Sequence, residues 1–297
     1  MGFVTRIPFD WQLRTRSLAL GERTLVMAVV NLTPDSFSGD GLAGAAHDEA
    51  VKIALQRIDG GADILDLGAE STRPGALPVS TDAEQARLLP VLETVLRERP
   101  SAVVSVDTYH ASTARAATRA GAEIINDVSG LLWDSEMGAA VAELCTGLIL
   151  MHTRGLPTEW RTQPPIAAED VVPLVLDGLD ERLTAARGAG ILENRIVLDP
   201  GFGFGKRGAE NFALLAGFER LSELRRPLLA GLSLKGFLGA AVAPLNGATR
   251  RNATMAANVA AILAGAHIVR VHNLQETREA AAVADAITAS ALPSLSF

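Results

Sequence analysis

Polar side chains follow each of eight apolar runs in this chain. The first run ends at Val30 and leads directly into the segment 31–37, NLTPDSF. A proline and several polar groups at the exit of a buried strand are typical of the place where an α/β protein binds its ligand. The other exits supply a comparable set, namely Asp66, Arg73, Asp107, Thr108, Asn126, Asp127, His152, Arg154, Asp199, Ser233, Lys235, Arg270 and His272.

The cations in this set indicate a phosphate or diphosphate ligand. Arg73 and Arg270 occur with Lys235 and His272 in a chain whose net charge is -7, and arginine binds phosphate groups bidentately. Asn31 offers an oxygen ligand for Mg²⁺, an ion that keeps several waters and bridges phosphates. These residue types therefore predict a site for a phosphorylated ligand with magnesium.

The carboxylates and the amide indicate the other half of the ligand. Asp107, Asn126 and Asp199 supply acceptors and donors for the edge of a ring that carries amino and imino groups. Together with the cations, they predict an electrophile made of a polar heterocycle and a diphosphate leaving group.

Each position also has an ordinary structural explanation. A lone Asp or Asn after a strand often caps a helix or forms a turn. Arg154 is equally consistent with a solvated surface charge, His272 with a core histidine, and the glycines of segment 201–205 with a flexible loop. The functional interpretation is favoured because eight exits would meet at one mouth, where buried carboxylates and amides need partners.

The strands and helices that position these residues can be predicted from the spacing of apolar residues along the chain. Apolar runs predict strands near 25–30, 63–68, 102–106, 123–126, 147–151, 195–199, 227–231 and 267–271. Helical periods lie between them, for example at 46–59, 82–97, 112–120, 171–187 and 251–264. This alternation predicts an α/β fold, a closed (β/α)₈ TIM barrel whose site lies at the carboxyl ends of the strands. An open doubly wound sheet is the alternative. Residues 1–20 are expected to form a short N-terminal extension across the barrel bottom, and residues 21–297 the barrel domain.

Composition excludes several classes of protein. The net charge of -7 is spread without a basic block, which argues against nucleic acid or a charged membrane surface as a partner. The single Cys145 excludes an internal disulfide and is expected to be buried and inert. The N-terminus lacks the apolar core of a signal peptide, and no apolar run reaches the roughly 20 residues that span a bilayer. A cytoplasmic location is therefore expected.

Taken in order, the motifs resemble those of the dihydropteroate synthases, the pterin-binding barrels of folate biosynthesis. In one-letter code they are NLTPDSF (31–37), ESTRPG (70–75), SVDT (105–108), IND (125–127), MH (151–152), LDPGFGFGK (198–206), SLK (233–235) and RVH (270–272). Several are long, and together they cover nearly the whole chain.

The resemblance implies that 6-hydroxymethyl-7,8-dihydropterin diphosphate condenses with 4-aminobenzoate to give 7,8-dihydropteroate and diphosphate. It also implies roles for individual residues, a homodimer and sensitivity to sulfonamides. The pterin is expected against Asp107, Asn126, Asp199 and Lys235, and the diphosphate with Mg²⁺ against Asn31, Arg73, Arg270 and His272. Asp35 joins Asn31, Arg73, Lys235, Arg270 and His272 in the expected catalytic set, and 4-aminobenzoate is expected near Phe37, Thr72, Pro74, Phe204 and Ser233.

The chain departs from the family pattern at three positions. Leu234 stands where relatives usually carry Arg, Asn273 where they carry Asp, and Gly236 where many carry Ser. In an extended segment, Leu234 would point away from the pterin pocket that Lys235 enters, along the rim of the aminobenzoate site. These departures concern the second substrate more than the first.

Two alternative functions remain. Leu234 favours a non-catalytic pterin-binding paralogue. A methyltetrahydrofolate:corrinoid methyltransferase domain would share the barrel and the pterin-site Asp and Asn, but it has no use for Arg73 and the motif at 270–272.

Overall fold

The computed structural model describes residues 4–33, 43–71, 78–245, 247 and 249–290. An antiparallel hairpin of β1 (Phe9–Gln12) and β2 (Ser17–Leu20) precedes a parallel sheet of eight strands. These are β3 (Leu25–Asn31), β4 (Ile64–Gly68), β5 (Val104–Asp107), β6 (Ile124–Asp127), β7 (Gly147–Met151), β8 (Ile196–Asp199), β9 (Leu229–Ala230) and β10 (Ile268–Val271). All eight coincide with the predicted apolar runs.

The sheet closes on itself. Strands β3 to β8 pair with their neighbours in chain order, and β10 pairs with both β3 and β9. A parallel bridge between Leu198 and Leu228 joins β8 to the start of β9. The predicted TIM barrel is therefore confirmed, and the open sheet is excluded because its first and last strands would not pair.

Helices surround the strands, as the 3.6-residue periods predict. They are α1 (Ala43–Asp59), α2 (Thr81–Glu98), α3 (Ala111–Arg119), α4 (Met137–Leu144), α5 (Ala168–Gly188), α6 (Gly208–Ala216), α7 (Gly236–Val242), α8 (Arg250–Leu263) and α9 (Leu274–Ser290). Side-chain caps fix two of the starts: Ser80 Oγ accepts from Ala83 N and Thr249 Oγ1 from Asn252 N, both at 3.3 Å. None of the described helices is long and apolar enough to cross a membrane.

The hairpin seals the lower end of the barrel. Trp11, Leu13 and Leu20 pack with inward-facing strand residues such as Met27 and Ile64 in one buried cluster. The Trp11 indole donates to Arg195 O at 2.8 Å, which satisfies its only polar atom. The lower end of the barrel interior is therefore closed by an apolar floor, and the polar side chains lie above it.

Strand periodicity places the polar residues directly above this floor. Because side chains alternate between faces, a residue two positions beyond a floor residue points to the same face. The floor residues Ile64, Ile124, Val197 and Ile268 are followed in this way by Asp66, Asn126, Asp199 and Arg270.

One minor prediction is wrong. Cys145 is exposed rather than buried, because it ends α4 with a left-handed backbone (φ 53°) that turns it away from the core.

Candidate active site

Arg270 joins carboxylates from two other strands inside the barrel mouth. Its Nε donates to Asp66 Oδ2 at 2.7 Å, and its Nη2 donates to Asp107 Oδ2 at 2.6 Å. Asn126 Nδ2 donates to the same Asp66 oxygen at 3.3 Å. Residues predicted for the pterin and for the diphosphate are therefore parts of one network. Its centre, Asp66, was recognised in the sequence only as a polar strand exit.

The pKa values of Asp107 and Arg270 in this network are shifted by burial and by their neighbours. Burial raises the pKa of Asp107 to about 7; Arg270 opposes this effect, and the neighbouring charge of Asp66 adds to it. Burial alone would lower the pKa of Arg270, but its two carboxylate partners raise it overall. Asp107 is thus the member of the network whose protonation changes near neutral pH.

Asp199 and Lys235 form the opposite wall. Asp199 is buried and its Oδ1 accepts from Gly201 N at 2.7 Å; burial raises its pKa, and the charge of Lys235 opposes the shift. Desolvation lowers the pKa of Lys235 to about 8, against the pull of Asp199 and Asp107. The ammonium lies 4.3 Å from the ring centroid of Phe204, within the range of a cation–π contact. Lys235 therefore enters the mouth, as predicted.

Close packing and hydrogen bonds define the conformation of the glycine-rich segment 201–205. Gly201 has φ +68°, and a Cβ there would lie 2.0 Å from His152 O, so no other residue fits. The buried Lys206 donates to Gly201 O at 2.8 Å and to Phe204 O at 3.2 Å, while Asn211 Oδ1 accepts from Gly203 N at 2.6 Å. Burial lowers the pKa of Lys206 to about 7. Lys206 therefore stabilises the loop by donating to its backbone carbonyls. The sequence, in which Lys206 only ends a motif, did not predict this role.

The turn after β9 corrects one prediction. Leu234 has φ +57°, so the segment is a left-handed turn and not extended. Its N–H donates to Thr254 Oγ1 at 3.0 Å, which fixes the turn on α8. Beside it, Ser233 Oγ accepts from His272 N at 3.1 Å and lies 3.0 Å from His272 Nδ1. The last two motifs therefore meet, as predicted.

Three of the predicted polar residues, at the exits of β6 and β7, make structural contacts instead. Asp127 caps its own turn by accepting from Ser129 N and Leu131 N at 2.8 and 2.7 Å. The ring of His152 faces α5, since a Cβ at Gly178 would lie 2.5 Å from its Cδ2. Arg154 donates to Gly205 O at 3.0 Å. For Asp127 the ordinary structural explanation, a turn former, is correct, whereas Arg154 is half-buried and bonded to a loop carbonyl rather than a solvated surface charge.

Glu70 begins the motif at 70–75, but the sequence indicated no role for it. Its Oε1 accepts from Tyr109 OH at 2.7 Å and from Val79 N at 3.2 Å, and its Oε2 lies 3.3 Å from His110 Nε2. Burial would raise the pKa of Glu70, but these partners lower it overall. The carboxylate therefore ties together two stretches of chain, at 70 and at 79, and the exit of β5. Asp35, Phe37, Thr72, Arg73 and Pro74 lie outside the described residues.

A metal site within the protein alone is not present among the described residues: they contain no group of three or more His, Cys, Asp or Glu that could hold an ion. Asn31, the last residue of β3, is partly exposed beside Gly68. One neutral oxygen fits Mg²⁺ if phosphate oxygens and water supply the other ligands, which is how this ion is commonly bound.

Comparisons with known proteins agree with this geometry. The family model described as "pterin binding enzyme" matches residues 27–272. Dihydropteroate synthase of Bacillus subtilis (strain 168) is 41% identical over 271 residues, covering 91% of this chain and 91% of the relative. A mitochondrial folate synthesis bifunctional protein of Pisum sativum is 40% identical over 89% of this chain, which spans only 53% of that longer protein. The structure of Xanthomonas albilineans dihydropteroate synthase with 4-aminobenzoic acid superposes with a TM-score of 0.85 at 40% identity, covering 96% of this chain and 100% of the other.

Proposed function

The chain belongs to the family of pterin binding enzymes, and we propose that it is a transferase of folate biosynthesis. It condenses 6-hydroxymethyl-7,8-dihydropterin diphosphate with 4-aminobenzoate to form 7,8-dihydropteroate and diphosphate. The observation that carries this proposal is the polar layer above the barrel floor, in which the buried Asp66, Asn126 and Asp199 lie with the mostly buried Asp107 and Arg270. A polar ring is the kind of ligand that can pair with such a layer, because a ligand that covers buried polar groups must offer them hydrogen bonds.

The same layer suits the chemistry. As the bond from the methylene carbon to the diphosphate oxygen breaks, positive charge spreads onto the dihydropterin ring and negative charge collects on the diphosphate. Asp107 and Asp199 stabilise the ring cation, while Arg270 and His272 stabilise the leaving group, from positions that are fixed before the reaction. The neutral aromatic amine of 4-aminobenzoate then bonds to the methylene carbon and releases its proton to solvent, so no strong base is needed.

Magnesium forms part of the proposal. Asn31 would supply one oxygen ligand, and the diphosphate and water the others. When bound, Mg²⁺ offsets the negative charge that develops on the leaving diphosphate.

The second substrate is proposed to lie on the rim formed by Phe204 and Ser233. Trp160 packs edge-on against Phe204, with ring centroids 5.0 Å apart, which fixes an aromatic surface beside Lys235. Phe37, Thr72 and Pro74 remain predicted contacts. Sulfonamides resemble 4-aminobenzoate and are proposed to compete for this rim.

A diphosphate-release assay tests the function directly. Release from the pterin diphosphate should depend on added 4-aminobenzoate and should fall when EDTA removes Mg²⁺. Full activity in EDTA would contradict the magnesium role, and release that ignores 4-aminobenzoate would contradict the condensation. A homodimer in the cytoplasm is the further expectation from the family, and sedimentation analysis of the purified protein tests the dimer.

A further inference from the structure

Asp66 lies at the centre of the network yet has no expected contact with either substrate. Its Oδ2 accepts from Arg270 Nε at 2.7 Å, lies 2.6 Å from Arg270 Nη2, and accepts from Asn126 Nδ2 at 3.3 Å. Asp66 has no solvent-exposed surface, and Asn126 has only 3%. We propose that Asp66 is a positioning residue, which fixes Arg270 and Asn126 for the pterin and keeps Arg270 shared between two carboxylates. This inference rests on the proposed function.

The sharing matters because Arg270 competes with the ligand. Asp107 Oδ2 accepts from Arg270 at 2.6 Å, and the pterin ring needs the same carboxylate as an acceptor. Asp66 gives Arg270 a second partner that lies deeper in the barrel. Without Asp66, the guanidinium would close a one-to-one pair with Asp107, which would hold the carboxylate away from the ring. Asn126 would also lose the acceptor that fixes its amide.

The charged groups that act on Asp107 come from several of the surrounding elements. They are Asp66 on β4, Asp127 on β6, Glu84 on α2 and Arg270 on β10, with Lys235 after β9 also acting on it. Of these groups, Asp66 and Arg270 are hydrogen-bonded to each other. Replacing either one therefore changes the effect of the other on the pKa of Asp107.

Ser105 provides a matched control in the same layer. It is the strand neighbour of Asp66 in the β4–β5 register, and it is also completely buried. Ser105 Oγ and Asp66 Oδ1 both lack a hydrogen-bond partner among the described residues. Ser105→Ala therefore alters a buried polar group at the same depth without removing a bond to Arg270 or Asn126.

The test is calorimetry of 6-hydroxymethylpterin, which lacks the diphosphate, over a range of pH with the full-length protein. In the wild type, affinity should fall as the pH drops through the pKa of Asp107. Asp66→Asn should weaken binding roughly tenfold or more, since charge-assisted hydrogen bonds are strong, and should move the midpoint to lower pH, because the repulsion from Asp66 is lost and Arg270 serves Asp107 alone. Ser105→Ala should leave both unchanged.

A second variant keeps the inference testable if Asp66→Asn does not fold. Lysine carries a point charge and cannot hold two carboxylates in the fork geometry of arginine. Arg270→Lys should therefore shift the midpoint to higher pH, the opposite direction. The positioning role would be overturned if Asp66→Asn kept the midpoint of the wild type and an affinity within about twofold of it, a difference of about 0.4 kcal/mol. An unchanged or lower midpoint in Arg270→Lys would overturn it as well. Wild type that fails to bind the pterin would instead contradict the proposed function itself.

Discussion

Arg270 and Asp107 form an ion pair across the interior of the barrel, with 2.6 Å between Nη2 and Oδ2. Their strands, β10 and β5, are separated in the sheet by β3 and β4, so the contact spans the mouth rather than running along it. One residue was predicted for the diphosphate and the other for the pterin. Their pairing means that the two half-sites share charges, and that a substitution on one side acts on the other.

Arg270→Ala should therefore destabilise the protein as well as the site. It leaves the carboxylates of Asp66 and Asp107 without a cation in a mostly buried position, and breaking such a pair costs about 3–5 kcal/mol. Because Arg270 is 20% exposed, we expect a loss at the lower end of that range in the free energy of unfolding, measured by urea denaturation. The exposed pair Arg99–Asp59, with a similar distance of 2.7 Å, is the control. Arg99→Ala should cost much less, because an ion pair in contact with solvent adds little to stability, and equal losses in the two variants would contradict the argument.

Asp199→Asn should weaken pterin binding without disturbing the fold. Asparagine keeps an oxygen for Gly201 N but loses the charge that favours a ring donor, so calorimetry should show an affinity lower by roughly 1–3 kcal/mol. Asp127 also ends a strand and is fully buried, but its oxygens cap its own turn. Asp127→Asn should therefore lower pterin affinity much less than Asp199→Asn does. A larger loss in Asp127→Asn than in Asp199→Asn would mean that the site has been misassigned.

The contrast between Asp199 and Asp127 shows how far sequence could predict this site. The strands, the barrel and the residues at its mouth follow from apolar runs and alternation, which are local signals. The direction in which a side chain points at a strand exit is not a local signal. Asp199, at the end of β8, lies in the mouth, whereas the ring of His152, just after β7, packs against Gly178 on α5. The left-handed turn at Leu234 was missed because leucine rarely adopts it, and contact with Thr254 on α8 is what stabilises it. The shared position of Asp66 depends on contacts between β4, β6 and β10, which no spacing in the chain encodes.

Lys235 should impose an alkaline limit on pterin binding. Its pKa is lowered to about 8 by desolvation, so the cation is lost as the pH rises through that value, and affinity should fall with it. Arginine remains charged throughout this range. In Lys235→Arg the alkaline decline should disappear, even if the affinity at neutral pH is lower. Calorimetry at increasing pH measures both effects, and an alkaline decline of the same shape in the variant would assign it to another group.

Glu70→Gln should affect the second substrate more than the first. The glutamine keeps its size but loses the charge that pairs with His110 at 3.3 Å, which loosens the tie between residue 70 and Val79. The stretch between them includes Thr72 and Pro74, expected to contact 4-aminobenzoate. We expect KM for 4-aminobenzoate to rise several-fold while pterin affinity stays the same. Glu93→Gln, on the exposed face of α2, should change neither, and a matching loss of pterin affinity in Glu70→Gln would reject this selective role.

Leu234→Arg should improve the use of 4-aminobenzoate. The substitution restores a cation near the rim, and an ion pair that is partly exposed is worth about 0–1 kcal/mol, or up to several-fold in KM. Sulfonamide inhibition should strengthen in parallel, while pterin affinity is unaffected. Leucine and arginine both carry a Cβ, so the cost of the left-handed backbone at φ +57° is the same for each. Leu234→Gly separates that backbone effect: it should relieve about 1 kcal/mol of strain and raise the unfolding midpoint without lowering KM. If Leu234→Arg and Leu234→Gly lower KM equally, turn geometry and not charge governs this substrate. If the wild type shows no condensation and Leu234→Arg does not restore it, the non-catalytic paralogue is the better description.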